Sequence, residues 1–406
     1  MALIVQKYGG SSMAGAERIR NVARRVATAR DRGDRLVVAV SAMGDTTDNL
    51  LELANQVNDH PNGRELDALL STGEIVSATL LAMALAAAGY PAISLSGAQA
   101  GIRTTAAHRR ARILEVKTRR IVAELDGGNI VIVAGFQGTT GDMDVTTLGR
   151  GASDTTAVAL AASLGADVCQ IYTDVAGVYT ADPRVVPEAR RLDEIGYEEM
   201  LELASHGARV IHARAVELGE LYGIPILVAS SFSGEPGTLI HGGVSMEVRN
   251  KVRSVAHDLD VAKITVVGVP DRPGIAAGLF EPLAKAGISV DTIVQNASID
   301  NFTDLTFTVV GGQLDDAMAV VEPIAREIGA RQCVSDSHLG KVSIVGTGMQ
   351  NTPGFAARMF TALSKKRINI QLITTSEIRI TCIIEEGKVE DAVRALHRAF
   401  DVETGG

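Results

Sequence analysis

The stretch Leu3-Ile4-Val5-Gln6-Lys7-Tyr8-Gly9-Gly10-Ser11-Ser12 governs how the whole chain is read. It begins as an apolar, β-branched run and breaks at a Gly-Gly pair, after which apolar residues recur at helical spacing (Ile19, Val22, Ala23, Val26). A strand running through a glycine turn into a helix aims free backbone N–H groups and a helix N-terminus at an anion. Lys7, at the strand's end, adds a mobile positive charge. Taken singly, such a lysine is ordinarily a solvated turn residue, so the rest of the chain has to decide.

Working outward, strand-like and helical runs alternate to about residue 240. They predict strands at 3–7, 35–41, 91–95, 129–134, 168–173 and 225–229, and helices at 16–32, 46–57, 65–88, 118–126, 154–164, 196–205 and 207–221. Near-continuous apolar strands between amphipathic helices predict an α/β domain with a mostly parallel sheet covered on both faces. Ligands of such sheets sit beyond the carboxyl ends of the strands.

The pattern loosens around Pro236–Arg253, and an internal repeat follows. Ile264-Thr-Val-Val-Gly-Val-Pro-Asp-Arg-Pro-Gly274 matches Val342-Ser-Ile-Val-Gly-Thr-Gly-Met-Gln-Asn-Thr-Pro-Gly354, and each leads into a helix (277–286, 356–366) and then further strands. Both units read as βαββα. The first unit has a fourth strand near 331–335 and the second has none. Because an exposed sheet edge is a liability, the spare run Val252–His257 is expected to fill that place.

Composition sets bounds. The chain has 406 residues, 46% of them hydrophobic, with 41 glycines, which suits two or three α/β domains and excludes disorder. A net charge of −9, no basic cluster longer than Lys365-Lys366-Arg367 and no tryptophan make nucleic acid a poor partner. Cys169, Cys333 and Cys382 are too scattered for a disulfide framework or a zinc site. No signal peptide is read at the N-terminus, and the apolar stretch Ile75–Tyr90 is too short to span a bilayer. A cytoplasmic protein with no membrane partner is expected.

Both standard nucleotide loops are absent. Instead, four polar stretches follow strands or open helices: Ser41-Ala-Met-Gly44 with Thr46 and Thr47, Ser71-Thr-Gly-Glu74, Thr147-Leu-Gly-Arg-Gly-Ala-Ser-Asp154, and Thr173-Asp174 through Tyr179-Thr-Ala-Asp-Pro-Arg184. Each has a plainer reading. Ser153 or Asp154 could be only a helix cap, Glu74 a surface residue and Asp182-Pro183 only a turn. Their convergence on one sheet edge with Lys7 is harder to read plainly.

In order and spacing, these stretches together resemble the aspartate kinases (aspartokinases) of the amino-acid-kinase superfamily over the full chain. The resemblance implies a three-layer α/β/α kinase domain at 1–245 and two βαββαβ, ferredoxin-like ACT domains, at 263–337 and at 246–262 plus 338–406. It implies ATP with Mg²⁺, L-aspartate as acceptor, and 4-phospho-L-aspartate as product, the first step toward lysine, threonine and methionine. Lys7, Arg150 and Asp154 would be catalytic. Lys7, Tyr8, Gly9, Gly10, Ser41, Thr173, Asp174, Tyr179, Asp182, Arg184 and Arg209 would meet ATP, with no dedicated protein metal site. Ser41, Thr47, Glu74, Arg150, Ser153 and Asp154 would hold aspartate, Glu74 taking its ammonium and Arg150 its α-carboxylate. Asp271, Gly274, Ala276, Asp291, Gln295, Asn296, Thr352 and Asn369 would bind lysine or threonine as effectors, Asp291 supplying the counter-charge for an ammonium. A homodimer or larger homo-oligomer would form through the ACT domains. Ala152 and Arg209 stand where the family usually has glycine and lysine, and Ala152 is accordingly expected at negative φ.

The chemistry asks for such parts. A carboxylate with a pKa near ~4 is already ionised at neutral pH and needs no general base. What remains is to position two anions and neutralise charge on the transferred group. Within the superfamily, acetylglutamate has no free ammonium to need Glu74, and a uridylate kinase would not need the ACT pair. A sensor that has lost catalysis is the rival of another class.

Overall fold

The computed structural model describes residues 2–149, 151–208, 210–243, 252–296, 300–349 and 352–402. The chain divides into two compact units: Met1–Tyr179, Arg191–Ser205 and Arg209–Met246 form the first, and Thr180–Arg190, His206–Ala208 and Glu247–Gly406 the second.

In the first unit the chain runs β1 (Leu3–Tyr8), α1 (Gly10–Met13), α2 (Ala16–Asp31), β2 (Arg35–Val40), α3 (Thr46–Val57), α4 (Gly63–Ala87), β3 (Ala92–Leu95), β4 (Ile102–Thr104) and β5 (Ile113–Val116). It continues through α5 (Arg119–Asp126), β6 (Ile130–Ala134), β7 (Gln137–Thr139), β8 (Val145–Thr147), α6 (Ala152–Leu164), β9 (Val168–Thr173), β10 (Glu194–Ile195), α7 (Tyr197–Ser205), α8 (Ala213–Tyr222), β11 (Ile226–Ser230) and β12 (Thr238–Ile240). The main sheet has the order β10-β12-β11-β9-β1-β2-β6-β3. All of its pairings are parallel except β11 with β12.

β1 sits between β2 and β9, where the strand order reverses, the position at which open α/β sheets bind ligands. Side chains alternate across it. Ile4 and Tyr8 join the core formed with α2 and α4 (Ile19, Val22, Val26, Leu81, Leu85), which leaves Lys7 on the opposite face, toward α6.

Two expectations need correction. The helix expected over 207–221 starts only at Ala213, because Gly207 adopts φ 111° and packs directly on the His257 backbone. The short sheet β5-β4-β7-β8 was not foreseen, its strands being three or four residues long. By length and composition α4 could cross a membrane, but it serves as a layer helix with Leu66, Leu70, Leu81 and Leu85 buried and Asp67 and Glu74 buried beside them.

The second unit contains β13 (Ser254–Pro270), α9 (Ile275–Lys285), β14 (Ile293–Gln295), β15 (Phe302–Val309), α10 (Leu314–Glu327), β16 (Gln332–Val345), α11 (Phe355–Lys365), β17 (Leu372–Thr375), β18 (Arg379–Glu385) and α12 (Val389–Ala399). They build one sheet, β14-β15-β13-β16-β18-β17. Two strands serve both repeats. Ser254–Asp258 lies antiparallel to Lys341–Val345, as expected of the spare run, while Lys263–Val267 pairs with Gln332–Asp336. Each repeat keeps its own core: Ile264, Val266, Leu279, Leu283 and Phe307 in the first, Val255, Val342, Ile344, Met359, Leu363 and Leu396 in the second.

Candidate active site

Four backbone turns meet beyond the carboxyl ends of β1, β2 and β6. The Gly9 N–H donates to Tyr172 O (3.2 Å), Ser41 N–H to Tyr8 O (3.0 Å), Gly44 N–H to Gly10 O (3.1 Å) and Gly135 N–H to Val40 O (3.0 Å). Glycine is required where these turns touch. A Cβ on Gly10 would lie 3.0 Å from Ala42 O, and one on Gly135 would lie 2.9 Å from Val40 O and 3.1 Å from Ser153.

Lys7 is not mobile. Its Nζ lies 2.7 Å from Asp154 Oδ1, with both side chains about nine-tenths covered. Asp154 is no cap, since Gly151 caps α6 at φ 74°; it sits in the first turn, and its Oδ2 accepts the His212 N–H at 3.1 Å. A Cβ on Gly151 would strike His212 at 2.7 Å. Ala152 opens the helix fully buried and is absent from the positive-φ residues, as expected.

Glu74 is not a surface residue. It is 3% exposed, Oε1 accepts the Ala42 N–H at 3.2 Å, and Oε2 has no hydrogen-bond partner. Gly73 permits the approach, since a Cβ there would lie 2.9 Å from Ala42 Cβ. Burial pushes the Glu74 carboxyl up to about 8, the Ala42 N–H opposing it. A buried carboxylate with an open oxygen is a seat for a cation.

The remaining residues divide. Ser41 lies just beyond the end of β2, Thr47 in the first turn of α3, and Ser153 is buried in α6. Thr173 ends β9, its hydroxyl donating to Asp174 Oδ1 at 3.0 Å, and Tyr179 bridges to Arg191. The Tyr8 ring is in the core, fully buried and stacked on Tyr172 at 4.9 Å, so Tyr8 offers the site only its backbone. Asp182 and Arg184 belong to the second unit, where their side chains pair at 2.7 Å and the Arg184 N–H donates to Asp182 Oδ1 at 2.9 Å. Arg150 and Arg209 lie outside the described residues. Sequence reasoning passed over His212 and Phe136. Phe136 holds φ 66° with its N–H on Thr156 Oγ1 at 3.1 Å, and only the flanking Gly135 and Gly138 hinted at it.

Residues 2–230 match the amino acid kinase family, and residues 263–325 and 342–400 each match the ACT domain. The chain is 52% identical over 405 residues to an aspartokinase of Pseudomonas aeruginosa, covering 99% of this chain and 98% of that one. The chain belongs to the aspartokinase family. Among solved structures of aspartokinases, E. coli aspartokinase III with aspartate and ADP (R-state) superposes with a TM-score of 0.84 at 25% identity, covering 98% of this chain and all of that one. The lysine and aspartate complex of the same enzyme (T-state) gives 0.76 at 25% identity, covering 98% and 99%.

The effector residues expected of an aspartokinase lie in the second unit. Gly274 (φ 91°) opens α9, and Asp271, Ala276, Gln295, Asn296, Thr352 and Asn369 are exposed. Asp291 differs from expectation in one respect: it is already paired with Lys341 Nζ. Burial alone would push its carboxyl up, but Lys341, with His206 and Arg379, holds it below the usual range. Gln371, at the matching place of the second repeat, accepts from Lys263, so the repeats make reciprocal contacts of which only one joins two charges.

Proposed function

We propose that the aspartokinase activity of this chain is carried by Lys7, Asp154 and Glu74, transferring the γ-phosphoryl group of ATP to the β-carboxylate of L-aspartate and releasing ADP. The observation that carries the assignment is Glu74, a buried carboxylate with one oxygen committed to Ala42 and the other open. An α-ammonium satisfies it, which separates aspartate from N-acylated acceptors. Lys7 lies at the reversal of strand order, where the phosphate oxygens would arrive, and Asp154 holds it there. Removing charge from the transferred group is the main task of such a site, since the acceptor carboxylate is already ionised. Arg150 would take the α-carboxylate, and Thr173, Asp174 and Tyr179 the nucleotide side.

Among the described residues no group of three His, Cys, Asp or Glu side chains could hold a metal. Mg²⁺ carried on the nucleotide's phosphates would neutralise their charge. The domain partition we adopt is kinase 1–245, first ACT 263–337 and second ACT 246–262 plus 338–406; the pairing of Ser254–Asp258 with Lys341–Val345 supports it. Lysine or threonine acting at the ACT pair, and a dimer through it, complete the proposal.

The test is ADP release by the purified chain with ATP and Mg²⁺. Release dependent on aspartate, and lost when N-acetylaspartate replaces it, is expected. A rate no higher than with ATP alone would leave the sensor reading standing instead.

A further inference from the structure

Glu74 is not the only carboxylate that α4 buries. Two turns earlier Asp67 is 0% exposed and takes no part in the chemistry above. It is densely bonded. Oδ2 lies 2.9 Å from His108 Nδ1, both oxygens accept the Arg109 N–H (3.1 and 3.0 Å), and Oδ1 accepts the Thr147 hydroxyl at 2.6 Å. These donors come from two different segments. His108 and Arg109 belong to the loop between β4 and β5, and Thr147 is the last residue of β8, the strand that precedes α6 and its Asp154.

The two segments are locked together further along. Ala111 N–H donates to Thr147 O at 3.0 Å, and the Arg214 guanidinium spans both, on Leu148 O (2.8 Å) and Ala111 O (3.3 Å). Arg109 is held at φ 67°, an uncommon conformation for a residue with a Cβ, with its N–H fixed by Asp67. Gly149 faces the same turn, a Cβ there coming 3.5 Å from Arg109 O. A fully buried carboxylate would not bind three donor groups from two segments merely to fill space, since burying that charge is costly unless the arrangement needs it.

We propose that Asp67 is a positioning residue for aspartate, setting where β8 leads into α6 and so where Asp154 stands in the site. This rests on the reading that aspartate binds with its ammonium on Glu74 and with Asp154 beside it. Asp67 does not touch substrate; it acts through Thr147 and Arg109. A displaced Asp154 lowers efficiency steeply, because the reacting groups lose alignment.

The experiment is steady-state kinetics with each substrate varied, on the full chain, for Asp67→Asn, Thr147→Val and Glu74→Gln. Asp67→Asn keeps the shape but removes the charge that the three donor groups share. It is expected to raise KM for aspartate about 10–100-fold while KM for ATP stays within about twofold. Thr147→Val, which deletes only the 2.6 Å bond, should move the same parameter the same way by less, and covers the case in which Asp67→Asn fails to fold. Equal changes in both KM values, or a lowered melting temperature with unchanged KM for aspartate, would overturn the inference. Glu74→Gln reports on the underlying reading separately. Unchanged KM for aspartate in Glu74→Gln overturns that reading and this inference with it, whereas a normal Glu74 response without an aspartate-selective Asp67 response overturns the positioning role alone.

Discussion

Lys7 and Asp154 are a matched pair, and each is exposed to the consequences of losing the other. Lys7→Ala is expected to cut kcat by about 10²–10³, the usual cost of removing one preorganised charge from a developing transition state. It also strands Asp154, 6% exposed, and breaking a buried pair destabilises by about 3–5 kcal/mol. Adding Asp154→Asn should therefore recover melting temperature while activity stays lost; a double variant with more than about a tenth of wild-type kcat would make Lys7 a turn residue after all. Glu74 makes a different prediction, in protons. Folded, it keeps its proton up to about 8, against 4.5 for the ordinary group. Between those values the folded state binds more protons than the unfolded, so this residue's contribution to stability falls as pH rises. An arriving ammonium reverses the preference, so aspartate binding near neutral pH should release a proton. Calorimetry in two buffers of different ionisation heat would measure it, and Glu74→Gln should abolish the difference.

At the level of elements, the turn into α6 and the shared strands of the second unit each make a demand that can be tested. Gly151→Ala places a Cβ in a left-handed conformation, costing about 1–2 kcal/mol, and presses on His212, whose N–H holds Asp154. Gly165→Ala, at φ 63° with nothing within 4 Å of its Cβ, is the control. Both should lower the melting temperature, but only Gly151→Ala should also lower kcat. The interleaved strands are tested by truncation. A fragment 252–406 retains Ser254–Asp258 along Lys341–Val345, whereas 261–406 leaves that edge open. The shorter fragment should melt lower and aggregate first, because an unpaired edge recruits strands from other molecules. Equal behaviour would show that Ser254–Asp258 contributes nothing to the second repeat.

Over the whole molecule the question is how an effector could compete for Asp291. Lysine, threonine or both are expected to inhibit, with a coupling of about 1–3 kcal/mol, or 5–150-fold in apparent affinity. Because Lys341 already occupies Asp291, an effector's ammonium has to displace it. Asp291→Ala should relieve inhibition, and Lys341→Met, by freeing the carboxylate, should strengthen it. Titrating each amino acid into the kinase assay checks both; unchanged inhibition in the two variants would place the effector elsewhere. The same pair shows where sequence reading stops. Element types, the parallel sheet, the ACT repeat and the spare strand could be read from the chain, because period, glycine turns and motif spacing are local properties. Asp291 could be read as an available carboxylate, but not as one held by Lys341, 50 residues away. Asp67 and His212 carried no local signal, and Lys7 looked mobile until Asp154 was placed beside it. Partners far apart in sequence meet only when the strands close into a sheet, so burial and pairing were decided by the tertiary structure alone.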